Sequence, residues 1–275
     1  MQRWVAHEVG PVIWGARLDT PFGEARVQRA TAQVSGLRWI LKQHRAPAGH
    51  RAEATALVSL AAHLGTSVPH LAARSDDPRA LLLRELPGDQ ADARRHDDES
   101  GRIHEAAGRF VARLQTVPIA AVDPMPADEA IARRLAGWLR RSTLPGALRD
   151  LAEGLVRPDS FAGARRVWAH RDYRPANWLW HAGELAVLDF GHARADVAAA
   201  DLTKLAAGAW RHSPALRDAF LRGYGGTWGD QQEAQLRSLC ALHGLATASW
   251  GQTHGDEAAR REGEQVLAWC AERAR

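Results

Sequence analysis

The sequence predicts an α+β fold in two parts: a small antiparallel sheet carrying one helix, then a larger, mostly helical body. Three observations predict it. Up to about Glu85, short apolar runs alternate with a single good helical stripe. Beyond Gly88, apolar residues recur at helical spacing over most of the remaining chain. One interruption breaks those helices, where Trp178 to Leu188 reads as two short apolar strands around a glycine-containing turn. The boundary falls near the Pro87-Gly88 turn, giving residues 1–86 as one lobe and 87–275 as the other.

Each element has a local reason. Leu37-Arg38-Trp39-Ile40-Leu41-Lys42 is an apolar, strand-like run. From Arg51 to Leu64 the residues Leu57, Leu60, Ala61 and Leu64 repeat at helical spacing, and Gly65 supplies a stop. Leu81-Leu82-Leu83-Arg84-Glu85-Leu86 reads as a further strand; taken by itself it is equally compatible with an edge strand ending in a Pro-Gly turn. Ile103, Ala107, Phe110, Val111 and Leu114 form a helical stripe ending before Pro118, and Ile131, Leu135, Trp138 and Leu139 form another. After the hairpin, helices are predicted over 201–210, 215–224, 231–250 and 256–274.

Two motifs carry chemistry. His170-Arg171-Asp172-Tyr173-Arg174-Pro175-Ala176-Asn177 reads H-x-D-x-x-x-x-N, and twelve residues after Asn177 comes Asp189-Phe190-Gly191. The first offers a carboxylate to a substrate hydroxyl, at Asp172, and an amide oxygen to a metal, at Asn177; the second offers Asp189 to Mg²⁺. The predicted hairpin between them brings Asn177 and Asp189 to one end. The bland alternative makes Asp172 a turn residue, Asn177 a cap and Asp189 a strand-end acid.

Composition points to a third component. Of 36 basic residues only two, Lys42 and Lys204, are lysines. Where surface positions have drifted so far to arginine, a remaining lysine is a candidate for a chemical requirement. A compact ammonium fits between phosphates where a broad guanidinium fits poorly. Lys42 closes its strand, and Glu53 falls on the core-facing stripe of the following helix, four residues before Leu57. A carboxylate there is costly unless a cation meets it, and Lys42 is the obvious partner. The alternative is an exposed first-turn glutamate favoured by the helix dipole.

Together these residues resemble the aminoglycoside phosphotransferase and choline kinase family, small-molecule relatives of the protein kinases, over most of the chain. The resemblance implies a bilobal protein kinase-like fold and transfer of the γ-phosphate of ATP, or of GTP, to a hydroxyl. In those terms Asp172 is the catalytic aspartate that orients the acceptor hydroxyl and takes its proton late, Asn177 and Asp189 hold Mg²⁺, Lys42 grips the nucleotide phosphates and Glu53 keeps Lys42 extended. Arg84, through its carbonyl, and Leu86, through its amide, would hydrogen-bond adenine. His170 becomes a buried scaffold group, and Asp201 a structural acid that caps a helix or braces the catalytic loop. Protein kinases carry A-P-E after an activation loop; none follows here, and only nine residues separate Gly191 from Asp201, so a small hydroxylated acceptor is favoured over a protein.

The sequence departs from that pattern in three places. Pro21-Phe22-Gly23-Glu24-Ala25 stands where protein kinases have a glycine-rich phosphate-covering loop. Leu114-Gln115 stands where many relatives carry Leu-His, and Arg174 where protein kinases place a lysine near the transferred phosphoryl. Arg174 reads equally as a cation offsetting transition-state charge or as a surface loop arginine.

The acceptor is the least determined part. An antibiotic of the aminoglycoside or cyclic peptide type is favoured, with transfer giving resistance; the alternatives are a metabolic kinase acting on a sugar, amino alcohol or amino acid, and a nucleotide-binding pseudoenzyme. A polycationic acceptor needs carboxylates, and Asp97, Asp98, Glu99, Asp230, Glu233, Asp256 and Glu257 are candidates, as are Trp210, Trp228 and Trp250 for lining. Helix caps, solvated acids and core tryptophans are the plainer readings. The net charge of +4 comes from arginines scattered among acids, so no nucleic-acid partner is expected. No run approaches membrane-spanning length, the amino end lacks the apolar segment of a signal peptide, and Cys240 and Cys270 lack metal-ligand spacing. A cytoplasmic, reduced protein, monomer or homodimer, is expected.

Overall fold

The computed structural model describes residues 1–18, 23–91, 97–120, 124–226 and 228–274. In chain order the first elements are α1 (Gln2–Val9), β1 (Val12–Arg17), β2 (Ala25–Ala32), β3 (Arg38–His44), α2 (Pro47–Leu64), β4 (Leu71–Asp76), β5 (Arg79–Arg84) and β6 (Asp89–Gln90). They are followed by α3 (Asp97–Thr116), α4 (Ala127–Arg141), α5 (Gly146–Leu155), β7 (Arg166–Ala169), β8 (Trp178–His181), β9 (Glu184–Val187) and β10 (Arg194–Val197). The chain ends with α6 (Thr203–Ala207), α7 (Ala209–His212), α8 (Pro214–Tyr224), α9 (Asp230–His254) and α10 (Glu257–Glu272).

One compact unit comprises Met1–His96 with Pro175–Arg194, the other Asp97–Arg174 with Ala195–Arg275. This grouping differs from a single cut at residue 86, because the hairpin joins the first unit. The physical reason is backbone pairing. Asp89 and Gln90, just past the expected boundary, pair with Trp180 and Leu179 of β8, and Gln90 Nε2 donates to the Ala176 carbonyl at 3.1 Å. The short 3-10 turn Phe190–His192 after the hairpin packs on α2.

In the first unit a five-stranded antiparallel sheet has the order β1-β2-β3-β5-β4. β5 therefore lies between β3 and β4 rather than at an edge, which is why Leu81, Leu82 and Leu83 are buried in succession instead of alternating. α2 begins at Pro47, earlier than the apolar stripe predicts, since proline is pre-organised for the first helical turn; it stops at Gly65, whose φ of 56° is left-handed. Sequence periodicity missed α1, which is short and has no side-chain N-cap hydrogen bond. It folds because Val5 is buried with Leu41, Ala80 and Leu82, with Trp4 and Val9 packed against them. The hairpin forms as predicted, with Trp178 opposite Val187 and His181 opposite Glu184. Its two-residue turn, Ala182-Gly183, has φ of 50° and 86°, the left-handed sense that matches strand twist.

The second unit is helical, with β7 and β10 forming a two-stranded ribbon. Ile103, Ala107, Phe110, Val111 and Leu114 are all buried along α3, as their spacing predicts. α3 and α8 meet almost backbone to backbone: a Cβ at Gly108 would lie 2.0 Å from the Phe220 carbonyl oxygen, and one at Gly223 1.8 Å from that of Glu105. Only glycine permits that approach. The helix predicted over 201–210 is broken instead into a 3-10 turn, Ala198–Leu202, then α6 and α7, with Gly208 between the two helices. Among the described residues no helix is long and apolar enough to cross a membrane. Cys240 and Cys270 are buried free thiols.

Candidate active site

In the first unit, β3, α2 and the end of the hairpin bring three charged side chains together. Lys42 Nζ lies 2.6 Å from Glu53 Oε2 and 2.7 Å from Asp189 Oδ1. Lys42 and Asp189 are 147 residues apart in the chain. Lys42 emerges from β3 between β2 and β5, and Glu53 is buried on α2, whereas the Asp189 side chain is about half exposed, at 45%. Burial alone would lower the Lys42 ammonium, but the Glu53 and Asp189 carboxylates outweigh it and hold the group above its ordinary range. Burial likewise works against the Glu53 carboxylate, and Lys42 and His44 together hold its pKa below the usual value. His44 Nε2 sits 3.0 Å from Glu53 Oε2. Sequence reasoning missed His44; its position two residues after Lys42, on the same face of the strand, is the signal that could have found it.

The hairpin carries Asn177 and Asp189 to one end, where the Leu188 N–H donates to the Asn177 carbonyl at 2.8 Å. Asp189 has φ 64° and ψ 69°, a left-handed conformation that aspartate tolerates better than most residues. An amide oxygen and a carboxylate are hard donors of the type Mg²⁺ takes, with its other positions left to water and phosphate. Among the described residues, no group of three or more His, Cys, Asp or Glu side chains makes a dedicated metal cage. That donor set fits a metal that binds together with a phosphate.

The adenine contacts expected from Arg84 and Leu86 fall where sheet pairing ends. Arg84 is the last residue of β5 paired with β3, opposite Trp39. The Arg84 and Glu85 N–H groups donate to the His70 and Arg38 carbonyls. Glu85 lies between Arg29, at 2.8 Å, and Arg38, at 3.5 Å, and the Arg84 guanidinium stacks over the Trp39 ring. The phosphate-covering stretch starting at Pro21 lies partly outside the described residues, because only Gly23 onward belongs to them.

In the second unit, the loop after β7 presents Asp172. Asp201 accepts the N–H groups of both His170, at 3.1 Å, and Arg171, at 2.7 Å. His170 Nδ1 accepts the Asp172 N–H at 3.2 Å, so this buried ring is a scaffold group. Tyr173 donates its hydroxyl to the Ala107 carbonyl at 2.9 Å and lies parallel to Phe110, tying the loop to α3. Arg171 adopts a left-handed φ of 66°, and its guanidinium meets Asp196 at 2.8 Å. Such a conformation costs on the order of 1–3 kcal/mol and persists because the Asp201 and Asp196 contacts over-determine it. Gln115 bridges the Ala198 carbonyl and the Tyr224 hydroxyl, a structural position.

The Asp172 carboxylate is met by two cations on the same oxygen. Lys204 Nζ bonds Oδ1, and Arg174 Nε lies 3.2 Å from it. His243 of α9 feels the charges of Lys204, Asp172 and Arg174. Lys204 and His243 were absent from the sequence-based site; the scarcity of lysine was the one signal pointing to the first. The proposed acceptor acids are largely engaged locally. Asp256 caps α10 through the Ala259 N–H, Glu257 pairs with Arg260 and Arg261, and Glu233 with Arg217 and the Trp228 N–H. Trp210 is core. Asp97 and Asp98 begin α3, but their side chains lie outside the described residues.

A pH dependence of stability follows from the histidines. Burial holds His104 at about 4, and burial together with the Lys204 charge holds His243 at about 4, against an ordinary value of 6.5. The unfolded chain takes up protons on both between 6.5 and 4 while the folded chain does not, so they make stability fall as the pH drops through that window. Asp201 opposes them, since burial raises its carboxyl to about 7 despite two N–H donors, and the folded chain gains that proton first. The two histidines should win. Denaturant unfolding in neutral and mildly acidic buffer should show lower stability in acid, a loss reduced in His243→Gln. Equal losses in both proteins would remove His243 from this account.

A small antiparallel sheet with its packed helices, a helical body and these two loops together define a protein kinase-like phosphotransferase. The model of the phosphotransferase enzyme family matches residues 20–239, and the chain belongs to that family, whose members pass phosphate to hydroxyls of small molecules. The solved structures it resembles agree in fold. A macrolide 2'-phosphotransferase from Brachybacterium faecium is 22% identical, with 96% of this chain and 95% of that one covered and a TM-score of 0.68. The GDP complex of an aminoglycoside 2'-phosphotransferase is 15% identical, covering 98% and 97%, with a TM-score of 0.73. A choline/ethanolamine kinase family protein from Mesorhizobium loti is 19% identical, covering 98% and 90%, with a TM-score of 0.69. No curated protein matches the chain.

Proposed function

We propose that this protein transfers the γ-phosphate of ATP, or of GTP, to a hydroxyl of a small-molecule antibiotic of the aminoglycoside or cyclic peptide type, giving resistance. The observation that carries the transfer reading is the buried meeting of Lys42 with Glu53 and Asp189. A lysine held between two carboxylates, one of them partly exposed, is placed to take phosphate oxygens as further anionic partners. Asn177 and Asp189 would hold Mg²⁺, which would offset the negative charge of the nucleotide phosphates. The Arg84 carbonyl and Leu86 amide would take adenine. Asp172 orients the acceptor hydroxyl and accepts its proton as the new O–P bond forms and the nucleoside diphosphate leaves with its electron pair. The first unit so serves as the nucleotide-binding lobe, and the second supplies the catalytic base and the acceptor site. The GDP complex of an aminoglycoside phosphotransferase supports a nucleotide in this fold, and the macrolide and aminoglycoside enzymes support an antibiotic acceptor.

A second reading, a metabolic small-molecule kinase, is favoured by one observation. The acids Glu233, Asp256 and Glu257 that a polycation would need are engaged by neighbouring arginines or a helix end. The experiment that separates them is phosphorylation of a panel by purified protein with Mg²⁺ and ATP, then GTP, read by mass. The panel holds aminoglycosides, peptide antibiotics, macrolides, sugars, amino alcohols and amino acids. One antibiotic gaining a single phosphate while the metabolites stay unmodified is the expected result. Transfer confined to a metabolite would replace the antibiotic reading, and nucleotide binding without transfer to any acceptor would point to a pseudoenzyme.

A further inference from the structure

Both lysines of this arginine-rich chain end on a carboxylate of the two loops. Lys42 reaches Asp189, and Lys204 reaches Asp172. The segment that carries Lys204 grips the Asp172 loop twice. Asp201 takes the backbone N–H groups of His170 and Arg171, and three residues later Lys204 takes the Asp172 side chain. That segment is itself well anchored. Thr203 donates to the Ala199 carbonyl and accepts from Cys240 Sγ, Leu205 is buried, and α6 packs on α9. The Lys204 side chain is 33% exposed and that of Asp172 9%.

We infer that Lys204 is a positioning residue for phosphoryl transfer: its ammonium fixes the orientation of the Asp172 carboxylate and keeps that carboxylate ionised. The inference rests on the transfer reading above. Both carboxylate oxygens turn together about one torsion, so a bond to Oδ1 sets the direction of Oδ2 as well. Two cations on Oδ1 favour the charged form, at some cost in basicity. That cost matters little where the transition state is loose and the proton moves late, since alignment then outweighs base strength. A lysine suits the task better than another arginine. Its single-point contact holds one oxygen, whereas a second guanidinium would tend to fork across both and cover the oxygen meant for the hydroxyl. The charged and titratable groups facing Asp172 in this unit are Lys204 of α6, Arg174 and His170 of its own loop, and His243 of α9, with Asp201 behind the backbone.

The test has two arms. Because the chain has only two lysines, protein labelled at the lysine side-chain carbons gives two side-chain signals, assigned with Lys42→Met and Lys204→Met. Asp172→Asn should move the Lys204 signal and leave that of Lys42 in place. In the second arm, Lys204→Met should lose on the order of a hundredfold in kcat with the nucleotide KM nearly unchanged. The acidic limb of its pH profile should move to higher pH, and Lys204→Arg should recover part of the rate. Thermal melting of each variant separates a folding defect from a positioning defect. A Lys204 signal indifferent to Asp172→Asn would overturn the inference, as would a folded Lys204→Met enzyme with wild-type kcat and pH profile. Should the wild-type protein transfer to no acceptor while its Lys204 signal still answers to Asp172→Asn, the transfer reading would fail and the pairing itself would stand.

Discussion

Replacing Asp172 by asparagine should lower kcat for transfer by about a thousandfold or more while leaving the fold intact. Asparagine keeps the shape but cannot accept the hydroxyl proton, and its amide lacks the charge that draws Lys204 and Arg174 onto Oδ1. Stability should change little, because both cations can turn to water: the Lys204 side chain is 33% exposed and that of Arg174 52%. The loop is held independently through Asp201, Tyr173 and the Arg171–Asp196 pair. Steady-state kinetics with a thermal melt checks this. A variant within tenfold of wild-type kcat would remove Asp172 from the chemistry.

Removing Lys42 should have a double effect, on nucleotide use and on stability. Lys42→Met leaves the Glu53 carboxylate buried with His44 as its remaining neighbour, and stranding one member of a buried pair costs on the order of 3 kcal/mol. Nucleotide affinity should fall by about tenfold or more, as expected for losing a charge-assisted hydrogen bond. Combining Lys42→Met with Glu53→Gln should restore most of the stability and none of the nucleotide affinity, since it removes the stranded charge without replacing the ammonium. Denaturant unfolding and nucleotide titration of both variants decide the matter. A double variant binding nucleotide as wild type does would take Lys42 out of the nucleotide site, and an unchanged single-variant stability would mean Glu53 finds enough compensation without it.

How much of this was legible can be read residue by residue. The hairpin from Trp178 to Val187 was legible because its strands and turn are neighbours in sequence, and the turn chemistry at Ala182-Gly183 sets the register. The Lys42–Glu53 pair was legible because a carboxylate on an apolar stripe demands a cation and few lysines were available. α1 was not, because its stability comes from Val5 packing on β3 and β5 rather than from caps or periodicity. Nor was the break at Gly208, since Leu205, Ala206 and Ala207 keep a helical apolar pattern up to it. The acids Asp256 and Glu257 looked available for an acceptor, yet an N-cap and i,i+3 and i,i+4 arginines engage them, a bland role that sequence spacing alone already allowed.

The amino-acid sequence by itself determined the fold class, the family and the two loops, because each depends on residues within a dozen positions of one another or on the period of a single helix. Only the tertiary structure decided which cation meets which acid: Asp189 on Lys42, His44 on Glu53, Lys204 and Arg174 on Asp172, and Asp201 beneath its loop. With 34 arginines and 2 lysines among the 36 basic residues, charge alone leaves far too many pairings open. Burial selects among them, because a buried carboxylate must take the cation that packing delivers, and packing is set by contacts between segments far apart in the chain.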